Sequence, residues 1–159
     1  MRKNKFLKHV AKLSLCAAIG FSAFAFGSNT QVHAATPESL KLVSTGQNYL
    51  GTPYSYGAPA GVTYAFDCSS FTQFIFGMFD VSLPRTAKSQ SYYGTKVPKG
   101  ELSTGDLVFF RTSGSTISHV AIYAGNDKIL HSSSSKGVTF SDLDSSYWTK
   151  TYVTARRVL

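Results

Sequence analysis

Three side chains in this sequence could together cut an acyl bond: the thiol of Cys68 and the imidazoles of His119 and His131. A thiol attacks a carbonyl as thiolate, so a base must take its proton and later return it to the leaving amine. Histidine titrates near neutrality and can do both. A third polar group must then fix the tautomer and aim of that imidazole. Cys68 lies within Phe66-Asp67-Cys68-Ser69-Ser70-Phe71 and opens a helical pattern. Phe71, Phe74, Ile75 and Met78 recur at the spacing of one apolar face, and Asp67 stands where a cap belongs. Cys68 shares that inward face at the positive end of the helix dipole, which predicts a lowered thiol pKa. The backbone N–H groups of the same first turn could hold an oxyanion. Position alone fits a small buried hydrophobe as well.

The histidines depend on a hairpin. His119-Val120-Ala121-Ile122-Tyr123-Ala124 and Lys128-Ile129-Leu130-His131 flank Gly125-Asn126-Asp127, a turn signal. The two positions sum to 250, so a hairpin centred on Gly125 sets them directly opposite, with Cβ atoms about 5 Å apart. A register shifted by one residue would send them to opposite faces. The expectation is one face, turned toward Cys68. Taken singly, each histidine reads equally as a half-exposed strand residue.

Other elements must position these three. Thr36-Pro37-Glu38 starts a helix with Leu40, Val43 and Leu50 on its apolar side. A turn-rich loop, Gly51-Thr52-Pro53-Tyr54-Ser55-Tyr56-Gly57, follows it. The Cys68 helix is expected to end between Gly77 and Asp80, and Thr86 to Tyr93 to hold a short helix. Asp106 to Phe110 is a short apolar run that suits a strand buried on both faces, and Gly137–Phe140 and Tyr152–Val158 add further strands. Helices first and antiparallel strands after give an α+β class, with the Cys68 helix packed on one face of the sheet.

Residues 1–34 read as a secretory leader: five basic residues, an apolar run from Leu13 to Gly27, and small residues for cleavage after Ala34 or Ala35. Cys16 is a poor lipid acceptor because Leu15 precedes it. The apolar run is shorter than the roughly 20 residues of a membrane span, so no span is expected after cleavage. The sequence has 16 basic and 8 acidic residues; losing the leader's five leaves 11 against 8, net +3. That removes most of the case for nucleic acid. Cys68 becomes the last cysteine, which excludes an internal disulfide and a cysteine zinc site. An unpaired thiol kept in an exported protein argues that the thiol is used. Residues 35–159 are expected to form one domain, monomeric, with no cofactor and no metal.

Six segments in order resemble the NlpC-type cell-wall cysteine peptidases. They are Thr52–Gly57, Phe66–Phe71, Leu83–Thr86, Gly105–Phe110, Ser118–Asn126 and Leu130-His131. The resemblance implies a compact papain-like fold, a nucleophile at Cys68, a base at His119 and an orienting residue at His131. It also implies that the Tyr56 hydroxyl sits beside the thiol, and that Asp67 and Ser69 help hold a substrate's N-terminal ammonium. Arg85 matches a family arginine, for which a plain salt bridge is an equal reading. Ala58, and Phe79-Asp80-Val81, depart from the family's glycines. The implied substrate is the peptidoglycan stem peptide, cut between D-γ-glutamate and the following diamino acid. An amidase using the same site, or an inert secreted wall-binding module, are the rival readings.

Overall fold

The computed structural model describes residues 34–159. The leader read at residues 1–34, Cys16 included, lies outside the described residues except for Ala34. Helix α1 (Pro37–Gln47) begins in a closed capping box, Ser39 N–H to Thr36 Oγ1 and Thr36 N–H to Ser39 Oγ. Its buried side is Ser39, Leu42, Val43 and Gly46, while Leu40 and Leu50 are about half exposed. The expected stripe is thus displaced around the helix. At Gly46 the backbone of α1 lies close against the sheet: a Cβ there would stand 2.7 Å from the Leu130 side chain.

Helix α2 (Cys68–Gly77) starts at Cys68 as expected and buries Phe71, Thr72, Ile75 and Phe76. Phe74 is only partly buried and Met78 is 54% exposed. Met78 is the C-cap, past the last inward-facing turn, so its place on the stripe is lost. The chain then turns at Asp80, whose φ of 60° lies in the left-handed region. That geometry favours glycine, so the departure at Phe79-Asp80-Val81 keeps the turn and accepts some strain. Thr86 caps a single helical turn, α3 (Ala87–Gln90).

Six strands follow: β1 (Thr95–Val97), β2 (Leu107–Phe110), β3 (His119–Gly125), β4 (Lys128–Ser133), β5 (Gly137–Asp142) and β6 (Tyr152–Arg157). They form one sheet in the order β1-β6-β2-β3-β4-β5, antiparallel at every pairing. The α+β class therefore stands. β1 and the helix α4 (Ser146–Thr151) carry too little periodic pattern to be read from the sequence.

One sheet face, with Phe109, Val120, Ile122 and Leu130, packs on α1 and α2. The other, with Val108, Phe110, Ala121 and Ile129, lies under Leu143 and Trp148 of the α4 region. β2 is buried along its whole length between these layers, as its apolar run requires. No helix among the described residues is long and apolar enough to cross a membrane.

The hairpin register differs from the one expected. Its turn is Asn126-Asp127, both at positive φ (50° and 53°), so Gly125 pairs with Lys128, a sum of 253. An irregularity between Tyr123 and Gly125 then shifts the ladder to Tyr123↔Ile129 and Ile122↔Leu130, a sum of 252. His131 lines up with Ala121, not with His119. The sum is still even, so both histidines share one face. Without that one-residue bulge the odd register would have split them.

Candidate active site

The start of α2 is held by charge and hydrogen bonds. The Ser70 N–H donates to Asp67 Oδ1 at 2.7 Å, and the Asp67 N–H donates to Ser70 Oγ at 2.9 Å. Arg85 grips the same carboxylate with both terminal nitrogens, at 2.5 and 3.1 Å, and also donates to Ser69 Oγ and the Ala58 carbonyl. The Ser69 hydroxyl donates to Asp67 Oδ1. Burial alone would raise the Asp67 carboxyl; the Arg85 hydrogen bonds, the Ser70 N–H and the Arg85 charge hold it below its ordinary value. Gln90, fully buried, donates to the Ser69 and Pro84 carbonyls and accepts from Thr72. Arg85 is therefore more than a surface ion pair, and Ala58 contributes through its carbonyl, which needs no particular side chain.

Cys68 is 6% exposed, and its Sγ lies 3.9 Å from the carbonyl of Ser118, the residue before His119. The lowered thiol pKa expected from the dipole is not what the site produces. Burial pushes the Cys68 thiol up, the Asp67 charge adds to that, and the Val120 and Ser69 N–H groups only partly oppose them. Beside it, Tyr54 is raised too, first by burial and then by the charge of Cys68. Tyr56 lines the same cleft but stands 92% exposed at its rim, so Tyr54 is the better enclosed of the two hydroxyls near the thiol.

His119 and His131 occupy the sheet face of Phe110, Ala121 and Ile129, away from α2, contrary to the expected face. The thiol approaches from the other layer, at the end of the sheet where β3 begins. His119 Nε2 and His131 Nδ1 share a 2.9 Å hydrogen bond, and His131 Nε2 lies 2.9 Å from Ser141 Oγ. Trp148 covers both rings, at 5.3 Å from His119 and 5.0 Å from His131 between centroids. Burial pushes His119 down to about 3, with the charge of His131 adding to it. Burial, then the charge of Lys136, pushes His131 down to about 4. The resting pair is a neutral thiol and neutral imidazoles. The His119–His131 bond uses Nε2, so Nδ1 is the His119 nitrogen outside that bond.

These depressed values set an acid limit on the fold. Below pH 6.5 the unfolded chain binds protons that the folded chain refuses until about pH 4 and 3. Stability present at neutral pH is lost across that window, by up to about 1.4 kcal/mol per pH unit for each histidine. We expect the urea midpoint to fall between about pH 7 and pH 5, with a shallower fall in His131→Asn. Equal slopes for the two proteins would contradict the buried neutral pair.

Sequence reasoning brought out Cys68, Asp67, Ser69, His119 and His131, which the fold gathers around one cleft. It passed over Tyr54, Gln90, Ser141 and Trp148. Trp148 had a signal, as the lone tryptophan of the chain. Ser141 had one only through strand pairing, because it lies opposite Ile129 and so shares a face with His131. The cleft has two lobes. One is lined by Asp67, Cys68, Ser69 and Arg85, the other by His119, His131, Ser133 and Trp148, with Tyr54, Tyr56, Ser113 and Ser118 common to both.

The chain is 42% identical over 120 residues to a probable endopeptidase NlpC homolog of Haemophilus influenzae, covering 74% of this chain and 62% of that protein. It is 37% identical over 135 residues to the gamma-DL-glutamyl hydrolase of Bacillus subtilis, covering 82% of this chain but 32% of the relative. Among solved structures, an NlpC/P60 family protein from Bacillus cereus superposes with a TM-score of 0.70 at 34% identity, covering 77% of this chain and 40% of the other. The chain thus spans under two thirds of the length of each of these three proteins. The NlpC/P60 family pattern matches residues 51–157, from the loop before α2 to the end of β6, and the chain belongs to that family.

Proposed function

We propose that this chain is a secreted cell-wall cysteine peptidase that hydrolyses peptidoglycan stem peptides at the D-γ-glutamyl–diamino acid bond. The observation that carries the reading is the cleft itself. A helix-start thiol, Cys68, lies with its Sγ 3.9 Å from the carbonyl of Ser118, the residue before His119, and His119 is bonded through Nε2 to the buried His131. Similarity to the gamma-DL-glutamyl hydrolase of Bacillus subtilis supports a γ-glutamyl bond, and the leader pattern of residues 1–34 supports export.

In this reading a bound substrate dries the cleft and brings its carbonyl against Sγ. The Cys68 proton passes to His119 Nδ1 as sulfur attacks the γ-carbonyl carbon. The oxyanion forms at the α2 N-terminus, where Asp67 takes the Ser70 N–H and leaves that of Cys68 for the developing charge. His119 then gives its proton to the leaving amine, and a water, deprotonated by the same imidazole, cleaves the thioester. Because the resting thiol is protonated, the ion pair is made during the reaction and not before it. Asp67 and Ser69, fixed by Arg85, present the carboxylate edge that a substrate's N-terminal ammonium would meet.

The experiment is digestion of purified muropeptides with mass spectrometry of the fragments, using Cys68→Ala as blank. New D-glutamyl carboxyl ends are expected. Released intact stem peptides would replace this reading with the amidase, and no fragments at all would leave the inert module.

A further inference from the structure

The geometry points to Ser141 as a fourth member of the relay: a positioning residue whose hydroxyl accepts from His131 and thereby leaves His119 able to act as a base. The inference rests on the cysteine-peptidase reading of the site. Its observations are the two 2.9 Å contacts that run across three neighbouring strands, His119 on β3, His131 on β4 and Ser141 on β5.

A neutral imidazole has one N–H, so the three groups can be ordered in two ways. In the first, Ser141 accepts from His131 Nε2–H, His131 Nδ1 accepts from His119 Nε2–H, and His119 Nδ1 is bare. In the second, Ser141 donates to His131 Nε2, His131 Nδ1–H donates to His119 Nε2, and the His119 proton sits on Nδ1. Only the first order can receive the Cys68 proton. Once that proton arrives, His119 carries both N–H groups, and His131 Nδ1 must then be an acceptor. The N–H of His131 is forced to Nε2, and Ser141 Oγ is its partner there. His131 is 2% exposed and covered by Trp148, and Ser141 Oγ is the acceptor within reach of its Nε2. The hydroxyl is already paired in the first order at rest, so it costs little there. Its stabilisation falls on the charged state, where it lowers the barrier without tightening substrate binding.

Two readouts test this. The first is the long-range 1H–15N spectrum of the parent protein without substrate, which reports the proton-bearing nitrogen of each histidine. His131 is expected as the Nε2–H form; an Nδ1–H form overturns the proposal. The second is steady-state kinetics on one defined muropeptide. Ser141→Ala should lower kcat by about 10- to 100-fold with KM within about twofold, the usual scale for a lost partner behind a working side chain. Ser141→Thr keeps the oxygen and should restore most of the loss. A fall smaller than about fivefold, or a threonine variant as slow as alanine, overturns the assignment. If Ser141→Ala does not fold, the parent tautomer and the threonine variant decide. A parent that cuts no stem peptide would refute the peptidase reading instead, and the tautomer spectrum would still stand as measured.

Discussion

Cys68→Ser is expected to give a folded protein that does not cut muropeptides. The replacement changes one atom at a position whose polar side-chain contact is a weak one, 3.9 Å to the Ser118 carbonyl. The Asp67–Ser70 capping box and the Arg85 grip that define the start of α2 do not involve the sulfur. Circular dichroism and the thermal midpoint should therefore stay close to the parent. Chemistry should not. A hydroxyl is a far poorer nucleophile than a thiol, and its proton is much harder for a histidine near pKa 3 to remove. Loss of a nucleophile in comparable machinery costs on the order of 10⁶ in kcat, so activity should drop below detection. A serine variant retaining a tenth of the parent rate would end the assignment of Cys68.

The second large effect is a ranking at the histidines. His119→Ala should be the slowest of the three histidine variants, because the group assigned to take the thiol's proton is gone. At His131 the task is acceptance of a hydrogen bond, at 2.9 Å from His119 Nε2. An asparagine carbonyl in the same place can accept it, and its amide can still donate to Ser141. His131→Asn should thus work in part. His131→Ala leaves the His119 ring without tautomer or aim, a loss of about 10²–10⁴ in rate. The expected order is parent, His131→Asn, His131→Ala, His119→Ala, read as initial rates on one muropeptide with circular dichroism for each. If alanine at 131 equals the parent, the third member lies elsewhere. If asparagine is as slow as His119→Ala, His131 itself moves protons.

Much of this site could be read from the chain because its signals are local. The α2 start announces itself through Asp67 and Ser70 within four residues, and the β2 run through its unbroken apolar stretch. What could not be read depends on pairings distant in sequence. The bulge at Tyr123–Gly125 decides the histidine register, yet nothing in Tyr123-Ala124-Gly125 marks it; parity was right and the opposite partner wrong. The sheet face was wrong too, because alternation says which residues share a face but not which layer covers it. Burial reversed the thiol's shift for a similar reason: a helix dipole is visible in sequence, whereas the cover that Tyr54 and β3 provide is not. Trp148 and Ser141 come from a short helix and an edge strand, which carry little pattern of their own.

The buried, protonated state of Cys68 has a further consequence, one of chemical lifetime. Oxidants and stray electrophiles consume thiolates that they can reach. A resting Cys68 is neither ionised nor open, at 6% exposure, with its pKa raised by its own cover. In the exported protein proposed above, no glutathione pool would reduce a sulfenic acid, and a buried thiol would keep the sulfur durable between encounters with substrate. Reactivity and vulnerability then coincide in time, during the interval when a peptide fills the cleft and itself shields the sulfur. A small oxidant such as hydrogen peroxide should accordingly inactivate the idle enzyme slowly, at a pace set by opening of the cleft rather than by free-thiol chemistry.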